Sequence, residues 1–187
     1  FIVITLYALQ AWIPTLLIRV HGMELADAGR VYGAIALIAG SAGVLSGPHL
    51  GKFLNTRGHQ DYHLKVAILA SIALLPSVII ATTVSELKWA LVFVAVSSFL
   101  VTMPMALFTT GLQAATPNEL RGLITGVYVV TCNLFGLALG PTSVALATDY
   151  LFGDPTAVGL SMALVCGVSL PAAILMFHSG LGAYDKT

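Results

Sequence analysis

The sequence predicts an all-α integral membrane protein with six transmembrane helices, built as two inverted three-helix repeats. Three observations support this fold class. The 187-residue chain is 58% hydrophobic and only 9% charged, whereas soluble domains carry about 25% charged residues. Its apolar residues also form blocks that reach the about 20 residues needed to cross a bilayer. Finally, a pattern of glycines in the first half recurs in the second half.

The apolar blocks are separated by short segments containing the Gly, Pro, Asn or charged residues that helix ends tolerate. Six spans place both ends of the chain on one side, and the excess of Lys and Arg on that side favours cytoplasmic ends. Because the first apolar run begins at Phe1, we expect a fragment whose upstream part is missing. The predicted spans are 1–19, 29–53, 65–84, 89–114, 120–148 and 157–178.

The second and fifth spans share an internal repeat. A shift of 93 residues superimposes four glycine pairs and one proline pair, namely Gly29 on Gly122, Gly33 on Gly126, Gly43 on Gly136, Gly47 on Gly140 and Pro48 on Pro141. The repeat unit is therefore three spans, approximately 1–88 and 89–187. An odd number of spans makes the second copy enter the membrane from the opposite side, a construction typical of secondary transporters.

Small residues form stripes along these two spans. In lipid, such residues allow helix backbones to approach closely, so we expect helix packing at these positions. An alternative is that two smooth faces allow two helix bundles to move past each other. The predicted packing or gating glycines are Gly33, Gly40, Gly43 and Gly47 in the second span and Gly126, Gly136 and Gly140 in the fifth.

Asn133 continues the small-residue stripe of the fifth span. An amide inside hydrocarbon needs hydrogen-bond partners, and polar residues in membranes usually face the bundle interior or a cavity. One interpretation is a hydrogen bond between helices that fixes their register. The other is an amide that lines a substrate cavity.

The first and fourth spans are symmetry mates in the repeat, and both have polar faces and prolines. Tyr7 and Gln10 lie on one side of the first span. Ser98, Thr102, Thr109 and Gln113 lie on one face of the fourth. Serine and threonine can bond the preceding helical turn, but the shared face favours a cavity wall. We therefore predict that Tyr7, Gln10, Thr102, Thr109, Gln113 and Asn133 line a substrate cavity.

Several function classes find no support. The sequence lacks nucleophile-elbow, zinc-protease and phosphate-loop motifs, so we expect no enzyme, no cofactor and no metal site. Zero net charge argues against nucleic acid. No carboxylate lies at mid-membrane depth, so any proton-coupling acid is expected in the missing part. The expected partners are membrane lipid, a small-molecule substrate and protons.

Two motifs resemble the major facilitator superfamily (MFS) of transporters. They are "GPHLGKFLNTRGHQD" (47–61), similar to the family's loop motif, and "TPNELRG" (116–122). The resemblance implies the C-terminal half of a twelve-helix fold, with an N-terminal six-helix half missing. It also implies gating roles for Arg57 and Arg121 and cavity-lining first helices in each repeat. Lys52 stands where the family motif has an aspartate, so the resemblance does not imply a conformational latch on this half.

The segment 116–155 resembles bacterial spinster-like transporters more narrowly. The shared features are Pro-Asn before Arg-Gly, Asn-Leu-x-Gly in mid-helix, Gly-Pro, and Thr-Asp-Tyr followed by Phe-Gly-Asp. This resemblance implies proton-coupled transport of a lysolipid or related amphipathic solute across a bacterial inner membrane, by alternating access. A sugar-acid or aromatic-acid symporter is one alternative. A non-transporting membrane protein that acts as a packing partner is another.

Overall fold

The computed structural model describes residues 1–56, 62–114 and 116–184. Within these ranges the chain contains helices and no strand, and six helices are long and apolar enough to span a membrane. The predicted fold class of six membrane-spanning helices is therefore confirmed. The helices are α1 (Ile2–Arg19), α2 (Leu25–Thr56), α3 (Tyr62–Thr83), α4 (Leu87–Ala114), α5 (Arg121–Phe152) and α6 (Val158–Tyr184).

α2 and α5 are among the helices that are longer than the sequence predicts. α2 begins at Leu25 rather than at residue 29, and Asp27 forms an ion pair with Arg30 in its first turns. The carboxylate near the helix N-terminus also interacts favourably with the helix dipole. α5 extends to Phe152 rather than to residue 148 and ends in a π-helical turn, after which Gly153 adopts a positive φ of 64°.

The prolines inside the membrane do not interrupt their helices. The sequence predicts a break at Pro14, but α1 runs continuously through this residue. α4 also runs continuously through Pro104, where the predicted kink stays a prediction. Neighbouring helices and local adjustments of the backbone let transmembrane helices tolerate proline. The irregular segment of α2 is instead a π-helical turn at Ala36–Gly40, which contains no proline.

Each first helix of a predicted repeat packs against the second helix of the other repeat. α1 contacts α5 and α6, α4 contacts α2 and α3, and α3 also contacts α6. The fully buried side chains of the core come mainly from four helices, for example Leu16 of α1, Leu74 of α3, Val94 of α4 and Met162 of α6. This exchange of partners is the packing expected for two inverted copies, whose exact boundaries stay a prediction.

Two pairs of buried hydroxyl groups repeat this arrangement. Thr5 Oγ1 on α1 lies 2.8 Å from Ser169 Oγ on α6, and Ser97 Oγ on α4 lies 2.9 Å from Ser77 Oγ on α3. Ser97 follows Thr5 by 92 residues, and Ser169 follows Ser77 by the same 92 residues. Both bonds therefore join the first helix of one predicted repeat to the third helix of the other, at a shift one residue shorter than that of the glycine pattern.

α2 and α5 form the exposed sides of the bundle. In the most apolar 18-residue window of each helix, 6% of α5 and 17% of α2 is buried, against 44% of α3. The exposed side chains of α5 are large and apolar, for example Leu134 and Phe135. These faces therefore need lipid or another protein surface to cover them.

Candidate functional site

Two cavities lie between α1 and α4. The larger, of about 160 Å³, is also bordered by α5, and the smaller, of about 50 Å³, is also bordered by α2. The larger cavity is lined by Val3, Leu6, Tyr7, Met105, Thr109, Tyr128, Val129, Cys132 and Asn133. The smaller is lined by Leu6, Leu9, Gln10, Tyr32, Ala36, Gly40, Ser98, Val101 and Thr102.

Tyr7 and Asn133 meet at the edge of the larger cavity. The Tyr7 hydroxyl donates a hydrogen bond to Asn133 Oδ1, and Asn133 Nδ2 donates to the Val129 carbonyl at 2.7 Å. Asn133 therefore links α5 to α1 and also lines a cavity, so both interpretations of this residue fit its position. One N–H of the Asn133 amide is left for a ligand, because a primary amide has two.

Gln10 and Thr102 lie in the smaller cavity. Thr102 Oγ1 is 3.0 Å from the Gly40 carbonyl of α2 and 2.9 Å from the Ser98 carbonyl of its own helix. Gln10 is exposed, and within the described part of the chain its amide has no hydrogen-bond partner. Gln10 is thus the side chain with the largest unused hydrogen-bonding capacity in this cavity.

The predicted polar face of α4 divides between the two cavities. Ser98 and Thr102 line the smaller one, whereas Thr109 lines the larger one and bonds the Met105 carbonyl at 3.2 Å. Gln113 lies outside both cavities, where its Nε2 is 3.5 Å from Thr125 Oγ1 of α5.

Some cavity residues did not stand out in the sequence. Tyr128 and Cys132 line the larger cavity beside Val129 and Asn133, because positions four residues apart share a helix face. Tyr32 lines the smaller cavity in the same way as its neighbours Ala36 and Gly40 on α2. In the sequence, these residues could have been found from their helical spacing to Asn133 and Gly40.

The predicted packing glycines fall into two groups. A Cβ on Gly43 or Gly47 would collide with the backbone of α4, and one on Gly140 would lie 2.7 Å from the Ile4 carbonyl oxygen of α1. A Cβ on Gly33 or Gly126 would have no neighbouring atom within 4 Å. The first group lies at helix contacts, and the second faces open space. Gly136 belongs to the first group, next to Tyr7, whereas a Cβ on Gly40 would make only an ordinary contact of 3.9 Å with Thr102 Cγ2.

Of the two predicted gating arginines, the structure describes Arg121. Arg121 begins α5, and its Nε donates a hydrogen bond of 3.1 Å to the Thr116 carbonyl in the preceding connection. This contact holds the connection against the start of α5. Arg57 lies outside the described residues.

The cavities are polar without being charged. None of the described residues that line either cavity is Asp, Glu, Lys, Arg or His. Arg19 lies elsewhere, at the end of α1, and its Nη1 donates to the Pro155 carbonyl at 3.3 Å. The cavities therefore offer hydroxyl, amide and aromatic groups to a ligand, together with apolar surface.

Comparison with known sequences identifies the family. A sequence model of the Major Facilitator Superfamily matches residues 1–141, which include α1 to α4 and most of α5. The chain belongs to the Major Facilitator Superfamily. It is also similar to an MFS-type efflux pump of Mycolicibacterium smegmatis, with 28% identity over 161 residues that cover 85% of this chain and 37% of that protein. No solved structure matches the chain.

Membership of the Major Facilitator Superfamily accounts for the fold and the absence of enzyme motifs. The six helices are consistent with half of an MFS fold, and the family points to membrane transport rather than to an enzyme. The chain spans 37% of the length of the efflux pump that it matches. The predicted superfamily is therefore confirmed, whereas the narrower spinster-like subtype stays a prediction.

Proposed function

We propose that this chain is the C-terminal six-helix half of a secondary transporter that moves an uncharged or amphipathic small molecule by alternating access. A proton gradient is the proposed driving force, and export is the proposed direction. The similarity to the M. smegmatis efflux pump supports export. The proposed location is a bacterial inner membrane, with both ends of the chain in the cytoplasm.

The uncharged lining of the two cavities is the observation on which the substrate class rests. Tyr7, Asn133 and Gln10 provide hydrogen-bonding groups among mainly apolar side chains. An organic anion bound here would be desolvated without a cation beside it, which is costly. The sugar-acid or aromatic-acid alternative would therefore need its cation from residues outside this chain, and we favour uncharged or amphipathic cargo such as a lysolipid.

A second six-helix half is the proposed partner for the exposed faces of α2 and α5. Gly33 and Gly126 support the placement of the partner on these faces, because the helix surface there is smooth and makes no close contact with other described residues. Proton coupling needs an acid or base that changes charge during transport. Since no ionisable Asp, Glu or His lines either cavity among the described residues, we place the coupling group in the partner half.

The test is a transport assay on the complete gene product in proteoliposomes. An imposed proton gradient and a pH-sensitive dye inside the vesicles would report proton movement while lysolipids and sugar acids are compared. We expect the transport of a lysolipid, or of another uncharged or amphipathic solute, to be accompanied by proton movement. Gln10→Ala should reduce this proton movement at least about tenfold, because it removes one hydrogen bond to the cargo.

Gln113→Ala is the matched control, because it removes the same amide from a position outside both cavities. It should leave transport near the wild-type rate. Proton movement with sugar acids alone would overturn the substrate class. Failure of every cargo to accumulate or to move protons, in protein shown to be folded, would overturn proton-coupled transport of these cargo classes.

A further inference from the structure

Leu6 is the side chain that borders both cavities. It lines the larger cavity together with Tyr7 and the smaller cavity together with Gln10. The other described residues that line a cavity each line one of the two. Leu6 is only partly buried and packs against the main core cluster from its edge. Its side chain therefore forms the wall between the two spaces.

The polar groups of the two cavities lie on opposite sides of this wall. Asn133, with one amide hydrogen left after its two bonds, is on the side of the larger cavity. Gln10, whose amide is unpartnered within the described residues, is on the side of the smaller one. A molecule with a hydrogen-bonding group at each end of an apolar spacer would match this order of polar, apolar and polar surface.

We propose that Leu6 determines cargo length by separating two halves of a single binding site. The inference rests on the proposed transport function and adds the property by which the site selects its cargo. With Leu6 present, a molecule in the larger cavity is limited to a short spacer. Shortening this side chain joins the cavities and lets a longer molecule reach Gln10.

Cys132 provides a local measure of binding. This thiol is half-buried in the wall of the larger cavity, whereas Cys166, the other cysteine of the chain, is fully buried. Alkylation by N-ethylmaleimide, followed at the Cys132 peptide by mass spectrometry, should therefore slow when a ligand occupies the larger cavity. Cys166 should stay unmodified in every sample and reports that the bundle is folded.

The experiment uses the complete gene product and linear alkane diamides with spacers of increasing length. These uncharged probes have an amide at each end. In wild type, Cys132 protection should be strongest with a short spacer. In Leu6→Ala, the optimum should move to longer spacers, with an affinity gain for these of about tenfold, which is the contribution of roughly one hydrogen bond. Adding Gln10→Ala to this variant should remove the gain.

Leu9→Ala is the matched control, because Leu9 lines only the smaller cavity. It enlarges that cavity without joining the two, and the preferred spacer should stay the same as in wild type. Leu6→Phe keeps the wall with a larger side chain and should leave the optimum at short spacers. It provides a second test if Leu6→Ala fails to fold.

Four outcomes would overturn the inference. Two concern the spacer optimum of the alanine variants, namely no change in folded Leu6→Ala and an equal shift in Leu9→Ala. The others are a shift to longer spacers in Leu6→Phe and no protection of Cys132 by any diamide in any of the variants. The proteoliposome assay measures transport of an uncharged cargo separately from Cys132 protection. Failure of the length mechanism is therefore distinguishable from failure of the proposed function.

Discussion

The hydroxyl of Tyr7 donates a hydrogen bond to the side-chain amide oxygen of Asn133 and thereby connects α1 to α5. Nearby, Trp12 Nε1 donates to the Pro141 carbonyl at 3.0 Å and connects the same two helices. α5 has few other buried contacts, since its most apolar window is 6% buried. These two hydrogen bonds supplement the close packing of Gly136 and Gly140 against α1.

The first prediction is a measurable coupling between Tyr7 and Asn133. Tyr7→Phe and Asn133→Ala should each destabilise the bundle, and the double variant should cost less than the sum, because both changes remove one bond. Hydrogen bonds between transmembrane helices average about 0.6 kcal/mol and reach about 1.7 kcal/mol, so the coupling should fall in this range. A double-mutant cycle on the free energy of unfolding in detergent micelles measures it.

The control for this cycle replaces Asn133→Ala with Ser77→Ala. Ser77 hydrogen-bonds to Ser97 between α3 and α4 and contacts neither partner of the first pair. Its destabilisation should add to that of Tyr7→Phe, as expected for separate sites. Strict additivity of Tyr7→Phe and Asn133→Ala would show that the hydrogen bond contributes nothing to stability.

The second prediction separates the two groups of glycines. Gly43→Ala would place a methyl group against the Phe99 carbonyl and the Thr102 hydroxyl. Backbone atoms cannot move aside cheaply, so we expect a loss of about 1–3 kcal/mol, the usual cost of overpacking. Gly33→Ala has no atom within 4 Å of the added group and should change stability by much less. Thermal unfolding of the two variants in the same detergent measures the difference.

The same contrast is available in the second repeat. Gly140→Ala should destabilise, because its new methyl group meets the backbone of α1, whereas Gly126→Ala should not. Equal stabilities of all four variants would mean that the helices separate easily enough to accept the methyl groups. A loss of transport without loss of stability in Gly126→Ala would support the proposed contact of this surface with a second half.

The third prediction concerns the repeated hydroxyl pairs. Thr5→Val removes the donor or acceptor facing Ser169, and Ser97→Ala does the same for Ser77. A buried partner left unsatisfied costs about 1–3 kcal/mol, although serine can recover part of this by bonding a carbonyl of its own helix. We therefore expect a loss of roughly 1 kcal/mol for Thr5→Val and a smaller loss for Ser97→Ala, because Ser77 keeps its hydrogen bond of 3.2 Å to the Phe93 carbonyl. Unfolding in micelles measures both.

Thr83→Val is the control for these variants. Its hydroxyl is exposed and bonds only the Ile79 carbonyl of its own helix at 2.7 Å, so its replacement should change stability little. If Thr5→Val cost no more than Thr83→Val, the pair between α1 and α6 would not stabilise the bundle. A large cost at only one of the two pairs would show that the repeats match in position but not in energy.

Much of the fold was predictable because membrane helices have strong periodic signals. The length of each apolar block gave the six spans, and the glycines gave the match between α2 and α5. The π-helical turn at Ala36–Gly40 was not predictable, since no proline marks it. The early start of α2 at Leu25 was hidden by charged residues, which are common both in connections and in first helical turns.

The sequence predicts which helix faces carry the residues of the candidate site, but not how far along each helix the cavities extend. Tyr7, Thr109 and Asn133 border the larger cavity, and Gln10 borders the smaller one, as the polar faces of the sequence indicated. Their role in binding cargo stays a prediction. Gln113 shares the face of Thr109, yet it lies near the end of α4 beside the start of α5. Periodicity places a residue on a face but does not show where neighbouring helices separate.

The fourth prediction concerns Asp154, which lies outside the membrane in the connection between α5 and α6. Its Oδ1 accepts a hydrogen bond of 2.8 Å from the backbone N–H of Thr156 and another of 2.7 Å from the Thr156 hydroxyl. Both bonds favour the charged carboxylate and lower the pKa of Asp154 below its ordinary value of 3.8. The backbone N–H has the larger effect and the hydroxyl the smaller one.

A depressed pKa means that the unfolded chain binds the proton more tightly than the folded chain. The stabilisation by ionised Asp154 is therefore fully present above pH 3.8 and is lost as the pH falls through the lower pKa of the folded state. Carbon-13 NMR of the Asp154 carboxyl group during a pH titration measures this pKa. Thr156→Val removes the hydroxyl but retains the backbone N–H, so the pKa should rise only part of the way towards 3.8. A value unchanged by Thr156→Val would assign the whole shift to the backbone bond. A wild-type value at or above 3.8 would contradict a capping role of Asp154 for the 3-10 turn Pro155–Ala157, which precedes α6.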